Sequence, residues 1–305
     1  MDNFVTKRVL ITGATGFIGQ HCLNYLIDAG FEIHALSRQS KSTDPSHINV
    51  NWHVADLLDK NQVELIVSTV KPTHLLHLAW YAEPGKYWTA PDNFECVSAS
   101  LMLLRTFSLH GGERVVMAGT CAEYDWSYGL CSEEETPKNP STVYGVCKHS
   151  LQEMLASYSA EYGLSAAWGR IFFLYGPHEH PSRLVSSVIR SLLEGKPALC
   201  STGEQMRDFL HVSDVASAFV SLLDSEIQGP INIASGEAVS IKEVVEKIAA
   251  KLGKSRLLQL GARPTLPNEP PVLLANVSRL NEELGWQPYF DIDQGLDSAI
   301  SWWRK

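Results

Sequence analysis

The chain has 305 residues, of which 45% are hydrophobic and 19% charged, and its formal net charge is −9. A chain of this length can bury a full hydrophobic core, either as one large domain or as a main domain with a smaller lobe. The acidic balance argues against nucleic acid or an anionic membrane as the main partner.

The first half of the chain alternates short apolar strands with amphipathic helices. Strands are predicted at 8–12, 31–37, 49–54, 74–79, 114–118 and 164–172. Helices are predicted at 17–29, 59–70, 92–110 and 141–162. This alternation is typical of an α/β protein with a doubly wound parallel sheet of the Rossmann type.

After residue 175 proline and glycine become frequent and the elements shorten. Elements are predicted at 182–194, 206–212, 213–224, 230–234 and 240–252, and a proline-rich stretch at 264–271 precedes helices at 277–284 and 292–303. We expect residues 1–175 to form a dinucleotide-binding domain to which 213–252 return. Residues 176–212 and 253–305 should mainly form a smaller, substrate-binding lobe.

Cysteine use and hydropathy set the expected location. The six cysteines form no CxxC pair, which predicts free thiols and no metal site. No apolar run approaches the roughly 18 residues that cross a bilayer, and no basic-then-apolar leader is present. We therefore expect a cytoplasmic protein without membrane contact.

A glycine-rich turn follows the first strand, with the spacing Gly13-x-x-Gly16-x-x-Gly19. Glycines at a strand–helix turn let backbone amides approach a pyrophosphate at the helix N-terminus. Thr15, Phe17 and Ile18 complete this candidate cofactor site. The alternative is a tight turn that binds nothing.

The end of the second strand discriminates between nicotinamide cofactors. NAD-binding versions of this fold carry an acidic residue there for the ribose 2′-hydroxyl, whereas this chain has Ser37 and Arg38. A cation suits a 2′-phosphate. NADP(H) is therefore favoured over NAD, the alternative for Arg38 being a solvated loop residue.

Two further strand ends contribute candidate cofactor contacts. Asp56 and Leu57 follow the third strand, where a carboxylate could meet the adenine edge. Leu78 and Ala79 end the fourth strand, where the chain would pass under the cofactor. His77, just before them, is either a cofactor contact or a hydrogen-bonded strand-end histidine.

The candidate catalytic residues are Thr120, Tyr144 and Lys148. Tyr144 and Lys148 lie four residues apart on one face of a predicted helix. A phenol titrates near pH ~10, so we expect the lysine to favour its anion and make proton transfer accessible at neutral pH. Thr120 follows the fifth strand, where its hydroxyl could hydrogen-bond a substrate carbonyl.

These motifs together resemble the extended short-chain dehydrogenase/reductase family, whose members mostly modify nucleotide-linked sugars. Beyond the glycine turn and the three catalytic candidates, the resemblance rests on Tyr175-Gly176-Pro177, the run 207–215 and Leu284-Gly285-Trp286-Gln287-Pro288. It covers nearly the whole chain. It implies that Thr120, Tyr144 and Lys148 form the catalytic triad, and that the protein is a homodimer through the helices at 92–110 and 141–162.

Departures from the family pattern narrow the chemistry. Members that dehydrate sugars at C4 and C6 carry a carboxylate directly after the threonine, whereas Cys121 and Ala122 follow here. No acid–base pair is then placed for loss of water, which argues against a 4,6-dehydratase. Glu123, one place further, is interpreted as structural. Phe173 replaces an asparagine associated with the substrate.

The resemblance also suggests substrate contacts for a nucleoside-diphosphate sugar. Arg207 and Arg263 match family positions that bind the diphosphate, and Arg183 is a further candidate cation. The alternative for Arg207 is a buried ion pair with Asp208 or Asp214. Trp80, Trp126 and Tyr128 could stack on or line the sugar, the alternative being aromatic core packing, and Phe173 and Cys121 are further substrate candidates.

One pair of residues raises a second chemistry. His178 matches a position used by family members that epimerise beside the carbonyl before reducing it, and Cys121 is near the position of their cysteine. The cysteine stands one residue from its expected place.

The leading hypothesis is an NADP(H)-dependent ketoreductase acting on a nucleotide-activated 4-keto sugar. The alternatives are an NAD-dependent nucleotide-sugar 4-epimerase and a 3,5-epimerase/4-reductase. An alternative of another class is a catalytically inactive dinucleotide sensor or scaffold, against which the presence of both Tyr144 and Lys148 argues.

Overall fold

The structure is a computed structural model that describes residues 7–39, 49–265 and 269–305. Part of the predicted proline-rich stretch, 266–268, lies outside the described residues. The strands are β1 Arg8–Thr12, β2 Glu32–Ser37, β3 Val50–Val54, β4 His74–His77, β5 Arg114–Thr120, β6 Leu130–Cys131, β7 Ser165–Ile171, β8 Phe173–Tyr175, β9 Ala198–Leu199, β10 Met206–His211, β11 Gly229–Ile233, β12 Ala238–Ser240, β13 Leu258–Gln259 and β14 Val272–Ala275. The helices are α1 Gly19–Asp28, α2 Lys60–Val70, α3 Asp92–Leu109, α4 Val143–Tyr162, α5 Leu184–Leu193, α6 Val212–Leu223, α7 Ile241–Lys251 and α8 Ile292–Trp303.

Seven strands form the main sheet, in the order β11-β7-β5-β4-β1-β2-β3. The sheet is parallel, which confirms the predicted α/β class of Rossmann type. Strand β1 pairs with β2 on one side and with β4 on the other, so the order of connection reverses between β1 and β4. In such sheets ligands bind at the carboxyl ends of the strands on either side of this reversal.

The sequence explains why these elements form. Strands β1, β4 and β5 are almost entirely buried, as expected for parallel strands covered by helices on both faces. Helix α4 starts where the Thr142 side chain accepts the N–H of Gly145, and ends at Gly163, whose φ is 68°. A left-handed residue at this position favours glycine, which ends the helix.

The chain divides into two compact units. The first comprises 1–123, 138–170 and 216–231, and its core lies between the main sheet and its helices. The second comprises 124–137, 171–215 and 232–305. Within it, β12, β10, β14 and β6 form a sheet in that order, β8 pairs with β10, and helices α5, α7 and α8 enclose a separate core.

These bounds differ from the predicted division at 124–137, 171–175, 213–215 and 232–252, all of which belong to the second unit. Residues 124–137 belong to the second unit, because β6 pairs with β14 and Glu133 accepts the backbone N–H of Asn232 at 2.7 Å. Residues 232–252 also stay there, since Val244, Val245 and Ile248 of α7 are part of its core. Of the predicted returning segment, 216–231 join the first unit.

Other differences concern short elements. The helix predicted at 277–284 is a five-residue π-helical turn, Arg279–Glu283. Strands β6, β8, β9, β12, β13 and β14, of two to four residues each, were not predicted. Such strands are too short to show a period in the sequence, and their pairing partners are distant in the chain.

Arg114, at the start of β5, donates hydrogen bonds to several backbone carbonyls of the first unit. Its guanidinium donates to the carbonyls of Leu222 at 2.6 Å, Leu223 at 2.9 Å and Ile227 at 2.8 Å. Its third nitrogen donates to Ser165 Oγ at 2.6 Å. The residue is 4% exposed, so one side chain satisfies the carboxyl end of α6 within a buried environment.

We expect Arg114→Ala to lower the free energy of unfolding by about 3 kcal/mol or more, because buried carbonyls would lose charged donors. Urea unfolding monitored by circular dichroism measures this change. Arg105→Ala, at an exposed position of α3, is the matched control. Equal losses in the two variants would contradict the role assigned to Arg114.

Candidate active site

The glycine turn between β1 and α1 requires at least two of its glycines. Gly13 has φ 69°, and a Cβ there would lie 2.8 Å from the backbone nitrogen of Ala79. A Cβ at Gly19 would lie 2.1 Å from the carbonyl oxygen of Gly13. Thr15 and Gly16 are exposed, and Phe17 and Ile18 half-buried. The turn therefore packs directly on the Leu78–Ala79 backbone and leaves its tip open at the sheet edge.

His77 is a hydrogen-bonded strand-end histidine that holds this edge together. Its Nε2 lies 2.8 Å from Ser100 Oγ, which itself donates to the Cys96 carbonyl at 2.6 Å. Its Nδ1 lies 2.7 Å from Thr12 Oγ1, which accepts the N–H of Ala79 at 3.2 Å. These partners assign the proton of the neutral ring to Nε2. Of the two interpretations of His77, the structural one agrees with these contacts.

Thr120 and Tyr144 are hydrogen-bonded to each other through their side chains. The contact favours the phenolate, and Thr120 Oγ1 also accepts the N–H of Ala122 at 3.2 Å. The Thr120 side chain thus lies beside the phenol, and its hydrogen bond to a substrate carbonyl stays a prediction.

The ionisation of Tyr144 differs from the prediction. Burial raises the pKa of the phenol above its ordinary value, and the Thr120 hydrogen bond only opposes that rise. The predicted lowering by Lys148 is therefore wrong for the groups of the protein itself. Tyr144 is held as a neutral phenol, which is a proton donor.

Lys148 is buried, and its ammonium contacts a backbone carbonyl and an aromatic ring. Its Nζ donates to the Ala118 carbonyl at 2.8 Å and lies 3.7 Å from the centroid of the Trp80 ring. Burial lowers the pKa of the ammonium to about 7, and the negative charge of Glu123 opposes this change. A cation above an aromatic face gains roughly 1–2 kcal/mol when it is desolvated, which compensates part of the burial cost.

Three aromatic side chains surround Tyr144. The ring centroids of Tyr87, Trp88 and Trp80 lie 4.9, 5.8 and 6.4 Å from that of Tyr144, each edge to face. The sequence analysis identified Trp80 but missed Tyr87 and Trp88. The signal available was the density of aromatic residues between positions 80 and 88.

Asn93 fixes the segment 80–88, which carries these three aromatic residues. It is fully buried, accepts the Trp80 indole N–H at 2.8 Å, and donates to the carbonyls of Tyr87 at 2.7 Å and Ala90 at 2.8 Å. The backbone N–H of Tyr144 donates to the Trp88 carbonyl at 3.1 Å. The segment is therefore tied to the starts of both α3 and α4. The sequence analysis missed Asn93 as well.

The other cofactor candidates lie at the carboxyl ends of β2 and β3. Arg38 is exposed, whereas Ser37 is buried and accepts the N–H of Gln39 at 3.3 Å. Asp56 is exposed and accepts the N–H of Leu58 at 3.0 Å, and Leu57 packs against the core. Arg38 is thus the cation that the end of β2 presents to solvent.

Arg207, in the second unit, is engaged by a different carboxylate than predicted. Its guanidinium donates to Glu269 at 3.0 Å, and its side chain is 2% exposed. Asp208 instead accepts from Ser235 and Gly236, and Asp214 from the backbone of Tyr289 and Phe290. The sequence motif 207–215 therefore contributes largely to the internal structure of this unit. Glu269 was missed by the sequence analysis.

The remaining substrate candidates of the second unit differ in exposure. Phe173 is half-buried, 5.8 Å from the Phe209 ring and under the Arg207 guanidinium. His178 stacks on Trp302 at 3.9 Å with φ 69°, and burial lowers the pKa of its ring. Arg183 and Arg263 are exposed. Cys121, in the first unit, is buried beside Thr120.

Within residues 7–39, 49–265 and 269–305, no helix is both long and apolar enough to cross a bilayer. In the same ranges, no three His, Cys, Asp or Glu side chains are grouped so that they could hold a metal ion.

Comparison with known proteins identifies the class. Residues 9–234 match the family described as "NAD dependent epimerase/dehydratase family". The match covers more than half of the chain, and the chain belongs to this family. The resemblance predicted from the motifs is thereby confirmed.

Individual relatives span nearly the whole chain. The UDP-glucose 4-epimerase of Azospirillum brasilense is 29% identical over 330 residues, covering 98% of this chain and 93% of that protein. The dTDP-D-glucose 4,6-dehydratase of Bos taurus is 26% identical over 326 residues, covering 100% and 90%. The Thermus thermophilus UDP-glucose 4-epimerase, in complex with NAD, superposes with a TM-score of 0.84 at 27% identity, covering 97% and 99%.

We expect the protein to lose stability in acid through its buried histidines. Burial lowers the pKa of His77 to about 3 and that of His74 to about 4, with nearby cations contributing to both. Because unfolding returns each group to about 6.5, the unfolded state binds more protons below that pH, and stability falls as pH falls. Each histidine should remove about 2 kcal/mol between pH 8 and pH 5.

Urea unfolding at a series of pH values measures this loss. His77→Gln keeps hydrogen-bonding groups but does not titrate, so it should show a shallower fall with acid than the parent protein. Parallel pH dependences of the two proteins would show that His77 is not buried in its neutral form.

Proposed function

We propose that this protein is an NADP(H)-dependent reductase of the keto group of a nucleotide-activated 4-keto sugar. The observation that carries the proposal is the hydrogen bond between the Thr120 side chain and the Tyr144 phenol, whose pKa burial raises, at the carboxyl edge of the sheet. A neutral phenol is the form that donates a proton to a carbonyl oxygen as the keto carbon is reduced.

The glycine turn supports binding of a dinucleotide. A side chain at Gly13 or Gly19 would collide with backbone atoms, so the turn is built for close backbone packing. Its exposed tip, Thr15 and Gly16, precedes the N-terminus of α1, which favours a pyrophosphate. When bound, a reduced nicotinamide supplies the hydride that a keto carbon accepts.

The roles of the remaining residues follow from their contacts. Tyr144 would donate the proton, and Thr120 would hold the phenol oxygen in place. Lys148 would sit beneath the nicotinamide ribose, at the position where its ammonium now meets the Trp80 ring. Trp80, Tyr87 and Trp88 would restrict water around the phenol.

The preference for NADP rests on the end of β2. No carboxylate stands there to accept a ribose 2′-hydroxyl, and the exposed cation Arg38 suits a 2′-phosphate. The Thermus relative was solved with NAD, so NAD is the competing proposal. Asp56 and Leu57 are proposed to flank the adenine, and Leu78 and Ala79 to lie under the cofactor.

An NAD-dependent 4-epimerase is the second candidate, favoured by the epimerases among the relatives. It would need Tyr144 as a base for the oxidising half-reaction, for which a raised phenol pKa is unfavourable. A 3,5-epimerase/4-reductase would use His178, whose ring is stacked on Trp302. A dehydratase would carry a carboxylate directly after the threonine, but Cys121 and Ala122 follow Thr120 in this chain, although a dehydratase occurs among the relatives.

For the substrate we propose a nucleoside-diphosphate sugar. Arg183 and Arg263, the exposed cations among the candidates of the second unit, are the proposed diphosphate contacts. Arg207 would contribute only with Glu269 displaced. Cys121 and Phe173 are proposed to border the sugar. The six free cysteines support a reducing, cytoplasmic location.

The decisive assay is a panel of 4-keto nucleotide sugars with NADPH and with NADH, followed by absorbance of the reduced nicotinamide. We expect turnover with NADPH, and a loss of about 10²-fold or more in kcat/KM for Tyr144→Phe, because the proton donor is removed. Tyr162→Phe, exposed on the same helix, is the matched control and should retain parental activity.

Two outcomes of this assay would contradict the proposal. Tyr144→Phe with parental activity would remove the catalytic assignment. Purification with tightly bound NAD⁺, together with epimerisation that needs no added NADPH, would establish the second candidate instead.

We also propose a homodimer through the outer faces of α3 and α4. Phe94 and Leu109 of α3 are 62% and 70% exposed, and Val146 and Met154 of α4 are 46% and 37% exposed. Exposed apolar side chains on two adjacent helices are characteristic of an interface between protein chains.

We expect Phe94→Glu/Met154→Glu to convert the dimer to a monomer, because a buried interface would have to desolvate two carboxylates. Sedimentation velocity at several protein concentrations measures the change. Tyr289→Glu, which replaces an 81% exposed aromatic residue elsewhere, is the control and should leave the mass unchanged. A parent protein that sediments as a monomer would overturn the proposal.

A further inference from the structure

Glu123 follows the candidate catalytic residue Thr120 at the end of the short turn Cys121–Glu123, which comes directly after β5. Its side chain is fully buried. One carboxylate oxygen accepts the backbone N–H of Thr120 at 2.8 Å and the Trp168 indole N–H at 2.9 Å. The carboxylate therefore fixes the backbone of the residue whose hydroxyl holds Tyr144.

The second carboxylate oxygen forms an ion pair with Arg170. The Arg170 Nε donates to it at 2.7 Å, and neither side chain is exposed. The guanidinium also donates to Gln152 at 3.3 Å. Two charges held entirely out of water are costly, and such a pair is often no more stable than apolar residues of the same size. Stability alone is therefore a weak explanation for this pair.

The end of β5 is shaped to admit these groups. A Cβ at Gly119 would lie 2.0 Å from the Trp168 indole nitrogen and 2.7 Å from a Glu123 carboxylate oxygen. Any side chain at position 119 would push both groups away from Thr120. Gly119, Glu123, Trp168 and Arg170 thus form one arrangement that ends at the Thr120 amide.

We propose that Glu123 is a positioning residue, whose buried carboxylate fixes the backbone of Thr120 and supplies the negative charge that acts on Tyr144 and Lys148. The proposal rests on the proposed reductase function. It explains why the site would favour reduction of a keto group over oxidation of an alcohol. A negative charge near both groups favours their protonated forms, and a protonated phenol gives its proton to a carbonyl oxygen.

The charged and titratable groups around the two side chains agree with this role. Burial raises the pKa of Tyr144 first, and Glu123 raises it further, as do Tyr87 and Cys121. For Lys148, burial lowers the pKa, while Glu123 and Cys96 oppose the lowering. His77, which faces Lys148, is held neutral with a lowered pKa. Glu123 is the carboxylate common to both environments, and the charge of its partner Arg170 makes no comparable contribution to the pKa of Lys148.

The informative variant is Glu123→Gln/Arg170→Gln. It removes both charges, and its amide oxygen at position 123 can still accept the Thr120 N–H. Glu123→Gln alone would leave a buried guanidinium without its carboxylate, which would destabilise the fold. Arg190→Gln/Glu194→Gln is the matched control, because it removes an ion pair of the same residue types from the solvent-accessible end of α5, in the second unit.

Two measurements are made on each protein. In the reductase assay, the alkaline limb of kcat/KM should move to lower pH by about one unit in the double variant, while Arg190→Gln/Glu194→Gln keeps the parental profile. In the substrate-free protein, the titration of Lys148 is followed by ¹³C NMR of labelled lysine side chains, assigned with Lys148→Met. Its midpoint, near 7 in the parent protein, should fall in the double variant.

The outcomes separate the two proposals. A shifted Lys148 midpoint in a protein that reduces no nucleotide sugar would overturn the reductase function and support the role of Glu123. An unshifted midpoint and an unshifted pH profile, in a folded variant that binds cofactor like the parent, would overturn the role of Glu123. If the double variant does not fold, Glu123→Gln/Arg170→Met is measured in the same way, and the same results decide.

Discussion

The burial of the Lys148 ammonium at the carboxyl edge of the main sheet is the constraint on which the site depends. A cation taken out of water must be compensated by dipoles, aromatic faces or opposite charge. The Ala118 carbonyl, the Trp80 ring and the charge of Glu123 supply these three kinds of compensation. Each of them comes from a different element, so the position of one ammonium couples β5, the segment after β4 and the turn that carries Glu123.

The same edge shows how a parallel sheet organises chemistry. Thr12 and His77 are register partners at the ends of β1 and β4, and their side chains are hydrogen-bonded to each other. This contact holds the Ala79 amide, on which Gly13 packs. The glycine turn therefore rests on contacts held by a neutral histidine, and its geometry depends on His77 remaining uncharged.

Residues of the second unit illustrate how a specific sequence motif can be interpreted too narrowly. The run 207–215 identifies the family, but Asp208 and Asp214 cap backbone amides, and Arg207 pairs with Glu269. The motif is specific because it requires several buried polar groups to be satisfied simultaneously. Its specificity therefore indicates the fold of this unit more directly than it indicates ligand contacts.

The sequence by itself determined the α/β class, the main strands and helices, the glycine turn and the Tyr144–Lys148 spacing. These features depend on local physics: hydrophobic period, glycine conformation and helix geometry act over a few residues. Only the tertiary structure decided the ionisation of Tyr144, the partner of Arg207 and the setting of Glu123. Glu123 contacts Trp168 and Arg170, which lie 45 and 47 residues further along the chain, and Arg207 contacts Glu269, which lies 62 residues further along. No local pattern specifies such contacts, because burial and charge depend on which distant segments the fold brings together.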